Sequence, residues 1–288
     1  MCAGEEEELR ALELRGTFIT AEEIQLGLEA GEFYYAVQPF WDVEVRRIVG
    51  FEALIRWQKV DGTVLSPLQF VSVFDEVTRE PAFAALNTAM RKDVLAKLSD
   101  FPDAYVSFNY TLERLSYVGA SKELMGIYGS AKDFPGRVIM IELSEMAFSQ
   151  RGNLDVLRTE LKTLGENGYL IALDDFGVES SNLNRLQELP IHVVKLDKTL
   201  IDDLTTSERV RSIVSGIAMI VRSLNIKVIV EGVETTQQAQ ALMHHHIVTQ
   251  QGYVHAKPMR PEEVVGQLSK IGADVAIGES AEKVLDIL

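Results

Sequence analysis

Seven short apolar runs along this chain each reach a carboxylate, an amide or a lysine. They cover 49–52, 105–109, 138–142, 170–174, 192–195, 228–231 and 247–251, and they arrive at Glu52, Asn109, Glu142, Asp174, Lys195, Glu231 and Gln251. Each run has strand length and is rich in β-branched residues. Between them lie helix signals. Thr20 with Glu23 forms a capping-box pattern that opens a helix to about Ala30. Ser66-Pro67 opens another to about Val77, and further helices are expected over 81–98, 153–164, 207–224, 236–244 and 261–270.

Two runs at the start break the rhythm. Residues 33–40 alternate and are rich in aromatics, and 48–55 follow after only the short link Trp41 to Arg47. A parallel crossover needs about a dozen residues, so this pair is expected to be antiparallel. From there strand and helix alternate. Eight strands, seven of them in βα order, favour a closed (β/α)₈ TIM-type barrel with one antiparallel strand over an open doubly wound sheet. In such a barrel the polar residues that end the runs meet at the C-terminal mouth. The expected layout is a lead-in helix within 1–19, the barrel over 20–265 and a helical tail over 266–288.

Carboxylates gathered in one place repel each other and resist ionisation unless a cation sits among them. Hard oxygen donors point to Mg²⁺ or Mn²⁺. Composition sets the other bounds. The chain has 288 residues, 47% of them hydrophobic, which fits one large domain. A net charge of −15 argues against a general binder of polymeric nucleic acid. It does not exclude a small anionic ligand drawn in by a local metal. No run approaches the ~18 apolar residues of a membrane span, and the acidic N-terminus carries no signal-peptide pattern. One cysteine, Cys2, agrees with the reducing cytoplasm. The triplet His244-His245-His246 is expected to be a polar helix end, because consecutive histidines do not share a helix face.

Taken singly, each acid is an ordinary loop or cap residue. The ordered set is another matter: Glu52-Ala53-Leu54-Ile55-Arg56, Asn109, Glu142-Leu143-Ser144-Glu145, Asp174-Asp175-Phe176-Gly177, Lys195-Leu196-Asp197, Glu231-Gly232-Val233-Glu234 and Gln251-Gly252-Tyr253. It resembles the EAL domain family, bacterial phosphodiesterases that hydrolyse cyclic di-GMP to linear pGpG. The resemblance covers about 20–263. It implies a first metal held by Glu52, Asn109, Glu142 and Asp174, with Asp174 bridging to a second held by Asp175 and Glu231. It also implies catalytic roles for Lys195 beside the scissile phosphate, for Glu231 and for Gln251, which would orient water. Gln38, Leu54, Arg56 and Glu234 match substrate-side positions, and Glu145 matches a loop anchor. A homodimer is implied as well.

One stretch departs from the family pattern. Where members usually continue Thr-Gly-Tyr-Ser-Ser, this chain has Val178-Glu179-Ser180-Ser181-Asn182. Two other readings therefore stand beside the enzyme: a non-catalytic EAL-like receptor for cyclic di-GMP or a protein partner, and an unrelated metal-dependent barrel enzyme.

Overall fold

The chain enters its sheet through an antiparallel pair. Strands β1 (Phe33–Asp42) and β2 (Arg47–Gln58) set Gln38 opposite Glu52 and Tyr34 opposite Arg56. The computed structural model describes residues 19–129, 138–144, 153–177 and 183–270. A two-residue strand β3 (Val64–Leu65) folds back on the end of β2. Then come β4 (Tyr105–Tyr110), β5 (Ile139–Ser144), β6 (Leu170–Phe176), β7 (Val193–Leu196), β8 (Lys227–Val230) and β9 (Thr249–Gln250). From β2 through β4 to β9 every pairing is parallel. β9 then pairs antiparallel with β1, Trp41 against Gln250, and the ring closes on eight strands with β3 as an appendage. This is the expected barrel, with β1 as its antiparallel member.

The helices are α1 (Ala21–Glu29), α2 (Val71–Val77), α3 (Pro81–Lys97), α4 (Ala120–Tyr128), α5 (Leu154–Glu166), α6 (Leu183–Glu188), α7 (Glu208–Ser223), α8 (Thr236–His244) and α9 (Val264–Lys270). Their starts follow the caps. The Thr20–Glu23 capping box forms, Ser207 accepts from Val210 N–H, and Thr235 with Gln238 makes a second box. α8 ends at His244, so the histidine triplet is a helix end as expected. α4 and α6 go beyond the sequence expectation. The helix expected from Pro67 is split: a 3₁₀ turn over Pro67–Gln69 gives way to α2 at Phe70, whose φ is −138°. Phe70 leaves helical geometry and buries its ring against Phe33 and Trp57, each 5.6 Å away. The lead-in helix expected over 5–15 and the tail beyond residue 270 lie outside the described residues.

Period two along each strand sorts the side chains into two cores. Outward positions such as Phe51, Val106, Ile141, Ile171 and Val194 pack under the helices. Inward positions form a separate apolar plug of Phe40, Tyr105, Met140, Ala172, Val193 and Ile229 among others. Burial of such side chains is worth roughly 1.5–3 kcal/mol each. Gly50 makes room for it, since a Cβ there would lie 2.4 Å from the Tyr105 ring. Two residues further toward the mouth on those strands, the inward positions become Gln38, Glu52, Ser107, Glu142, Asp174, Lys195 and Glu231. An apolar floor thus carries a charged layer.

Candidate metal centre

Lys195 on β7 stands at the middle of that layer. Its Nζ lies 2.9 Å from Glu142 Oε2, 3.0 Å from Asp174 Oδ1 and 3.6 Å from Glu52 Oε1, and it also pairs with Glu231 Oε1. The Phe40 ring lies beneath it, 5.8 Å away. Glu52 takes two more bonds: Gln251 Nε2 donates to Oε2 at 2.8 Å and Asn109 Nδ2 to Oε1 at 3.2 Å. Seven polar ends from seven strand runs therefore do converge. Glu52 itself sits inside β2, which runs on to Gln58 because both of its edges are paired.

Charge in this layer is unbalanced. Four carboxylates face one ammonium. Burial pulls the Lys195 pKa down, but Asp174, Glu142, Glu231 and Glu52 together push it well above the usual lysine value. Burial raises Glu142 and Glu231 well above the carboxylate range and raises Asp174 too, despite the pull of Lys195. Glu52 goes the other way: burial pushes it up, yet Lys195 and the bonds from Gln251 and Asn109 hold it low.

These residues fit a divalent metal. Glu52, Glu142 and Asp174 each offer an oxygen within 4.8 Å of the others. Glu142 Oε1 is buried without a hydrogen bond, and an orphaned carboxylate oxygen costs free energy until a cation or donor meets it. The donors are hard oxygens in negative excess, as Mg²⁺ or Mn²⁺ requires.

Asp175, Gln38, Leu54 and Arg56 lie on strands that carry this layer, and Glu234 follows β8. Asp175 follows Asp174 in left-handed backbone, φ 55°, which Asp tolerates better than most residues. Its Oδ2 accepts from Ser144 Oγ at 3.2 Å, and burial with Asp174 lifts its pKa to about 6. Gln38 is buried and donates to the Ala256 carbonyl at 3.1 Å. Leu54 is half-buried on the mouth side of Glu52. Arg56 Nη1 donates to the Ile55 carbonyl at 2.8 Å. Burial lowers the Arg56 pKa, while Tyr34, Glu52 and Tyr253 work against that. Glu234 is exposed, and its amide donates to Gln238 Oε1 at 3.0 Å. Glu145 and the loop 178–182 lie outside the described residues. Sequence reasoning missed Ser107, a buried hydroxyl that opposes the upward shift of Glu142. Its period-two offset from Asn109 was the available signal. It also missed Tyr34 and Tyr253 beside Arg56.

A family model described as EAL domain matches residues 21–258. The chain belongs to the EAL domain family. Among curated relatives, this EAL domain is 27% identical over 241 residues to the probable cyclic di-GMP phosphodiesterase PdeB of Escherichia coli (strain K12), covering 83% of this chain and 45% of that protein. It is 28% identical over 243 residues to signaling protein YkoW of Bacillus subtilis (strain 168), covering 82% and 29%. The chain thus spans less than half the length of these relatives. An EAL domain protein from Listeria monocytogenes EGD-e shares the fold, with TM-score 0.72, 24% identity, and coverage of 88% of this chain and 100% of that one. The Klebsiella pneumoniae BlrP1 manganese/cy-diGMP complex matches with TM-score 0.64 and 25% identity over 79% of this chain and 56% of that one. Among the described residues no helix is long and apolar enough to cross a membrane.

Proposed function

We propose that this EAL domain is a phosphodiesterase that hydrolyses cyclic di-GMP to linear pGpG with two divalent ions, Mg²⁺ or Mn²⁺. The observation that carries this reading is the meeting of Glu52, Glu142, Asp174 and Glu231 around Lys195 at the barrel mouth. The names of the relatives support it.

In this reading Glu52, Asn109, Glu142 and Asp174 hold one ion, and Asp174, Asp175 and Glu231 hold the other. Two such ions lower the pKa of water and offset negative charge on the phosphodiester. The protein supplies the rest. Glu231 is the most open of the four paired carboxylates, with 21% of its side chain exposed, and it accepts the proton of the attacking water. Lys195 sets a fixed positive charge where negative charge grows on the phosphate oxygens. Gln251 steadies Glu52 and orients water. Arg56, which has no ion pair among the described residues, holds a phosphate of the dinucleotide with its fork of donors. Gln38, Leu54 and Glu234 line the dinucleotide's path, and Glu145 supports the loop. The oxygen–phosphorus bond to water forms as the bond to a ribose oxygen breaks. A cytoplasmic homodimer belongs to the same proposal, and light scattering of the purified chain tests the dimer.

Purified protein incubated with cyclic di-GMP and Mn²⁺ or Mg²⁺ should give pGpG by chromatography. Product no greater than that of a Glu52→Ala control ends the proposal. The receptor reading rests on the altered loop sequence at 178–182. Tight calorimetric binding of cyclic di-GMP that stays intact for hours would favour it.

A further inference from the structure

Away from the carboxylate cluster, the described residues line a partly open cavity of about 220 Å³ between α3, α4 and the turn after β4. Arg79, Arg91 and Arg114 line it, together with Glu113, Glu123 and Thr88. The three arginines are not equivalent. Arg114 Nε donates to Asp75 Oδ1 at 2.5 Å, and Arg79 Nη2 donates to Asp75 Oδ2 at 2.9 Å. Arg79 also lies 3.8 Å from Glu113 Oε2, and Glu123 accepts from the Tyr117 hydroxyl.

Arg91 forms no ion pair among the described residues. Its donors go to neutral oxygens: Nε to the Tyr35 hydroxyl at 3.0 Å, Nη1 to the Tyr128 hydroxyl at 3.1 Å and Nη2 to the Asn109 carbonyl at 3.4 Å. Its guanidinium lies 4.4 Å from the Tyr110 ring centroid and 5.3 Å from that of Phe108. A guanidinium has five N–H donors, so one remains on each Nη. A half-buried cation with only neutral partners lacks the counter-charge that offsets its desolvation.

The cavity is smaller than the ~300–1,000 Å³ that drug-sized ligands occupy. The space admits a small tetrahedral oxyanion and is open to solvent on one side. We propose that this cavity is a second binding site, for a phosphate-type oxyanion held by the free Nη donors of Arg91. The anion is either inorganic phosphate or the phosphoryl group of a small metabolite. Arg79, 3.8 Å from Glu113 Oε2, offsets part of the repulsion from that carboxylate, and the Tyr117 hydroxyl occupies Glu123. The site does not depend on the proposed hydrolysis.

Calorimetric titration of the metal-loaded protein with inorganic phosphate, and in parallel with glycerol 3-phosphate, tests this. Four proteins are compared: wild type, Thr88→Asp, Arg91→Lys and Arg56→Gln. Thr88→Asp adds a repelling charge to the cavity wall and replaces none of the residues that bond Arg91. Both it and Arg91→Lys should weaken binding by about tenfold or more, while Arg56→Gln keeps it. Tighter binding of one probe identifies the source of the anion. Unchanged affinity in Thr88→Asp, loss of binding in Arg56→Gln, or no binding of either probe by wild type at millimolar concentration overturns the proposal. Thermal melts separate loss of the site from loss of the fold in Arg91→Lys.

Discussion

Lys195 Nζ and Glu142 Oε2 lie 2.9 Å apart, and neither side chain exposes any surface. An ion pair sealed this way is worth little over a well-packed apolar pair, but breaking it leaves a stranded charge. The pair gives the centre a built-in cation at the place where divalent ions are proposed to sit.

Replacement of Lys195 by Met tests that arrangement. Without metal, the variant should lose about 3–5 kcal/mol in urea unfolding, because four carboxylates then face no cation. Mn²⁺ should raise its melting temperature more than that of wild type, since no ammonium competes for the oxygens. Turnover of cyclic di-GMP should fall by about 10²-fold or more. A variant that no longer binds Mn²⁺ would show that Lys195 supports the ligands and not the reacting phosphate.

Glu52→Gln keeps the shape of the side chain and removes its charge. Mn²⁺ affinity by calorimetry should drop by at least about tenfold, and pGpG formation with it. An unchanged affinity would remove Glu52 from the ligand set.

Gly252 follows Gln251 with φ 156°, and a Cβ there would lie 2.1 Å from the Val233 carbonyl oxygen. Because the obstacle is backbone, it cannot rotate away. Gly252→Ala should cost roughly 1–3 kcal/mol and displace the Gln251 amide from Glu52. Chemical denaturation that matches wild type would mean the turn has room the structure does not show.

His255 stacks on Trp41, with ring centroids 6.3 Å apart, and its Nε2 meets Gln250 Oε1 at 3.1 Å. Burial lowers its pKa from 6.5 to about 4. The folded state therefore favours the neutral ring. Between pH 6.5 and 4 the unfolded chain binds a proton that the folded chain refuses, so stability falls as pH falls through that window. The loss amounts to up to about 3 kcal/mol. Subtracting the urea stability of His255→Gln from that of wild type isolates this contribution from the carboxylates. A difference that stays flat from pH 7 to 4 would contradict it.

The barrel was readable because buried parallel strands leave continuous apolar runs, as Ile139–Ser144 and Leu170–Phe176 do. The antiparallel start followed from a connection too short for a crossover. α4 was not readable. It starts after Gly119 with φ 101° and contains Gly126, so no capping side chain or strong propensity announces it. Its first turn is secured from elsewhere, by Glu160 of α5, which accepts from the amides of Gly119 and Ser121 at 3.0 and 2.8 Å. A contact between residues so distant in the chain leaves no local trace. In the candidate metal centre, the polar residue at the end of each run was visible. That Lys195 binds four acids at once was not, because it depends on ring closure bringing β2, β5, β6 and β8 around β7.

The plug of Phe40, Tyr105, Met140 and Val193 closes the shaft below Lys195. Among the described residues the centre is consequently closed from below. A dinucleotide seated over that floor, as the proposed function requires, would act as a cork. In the proposed reaction, ions held beneath it would then exchange with solvent only after the product had left.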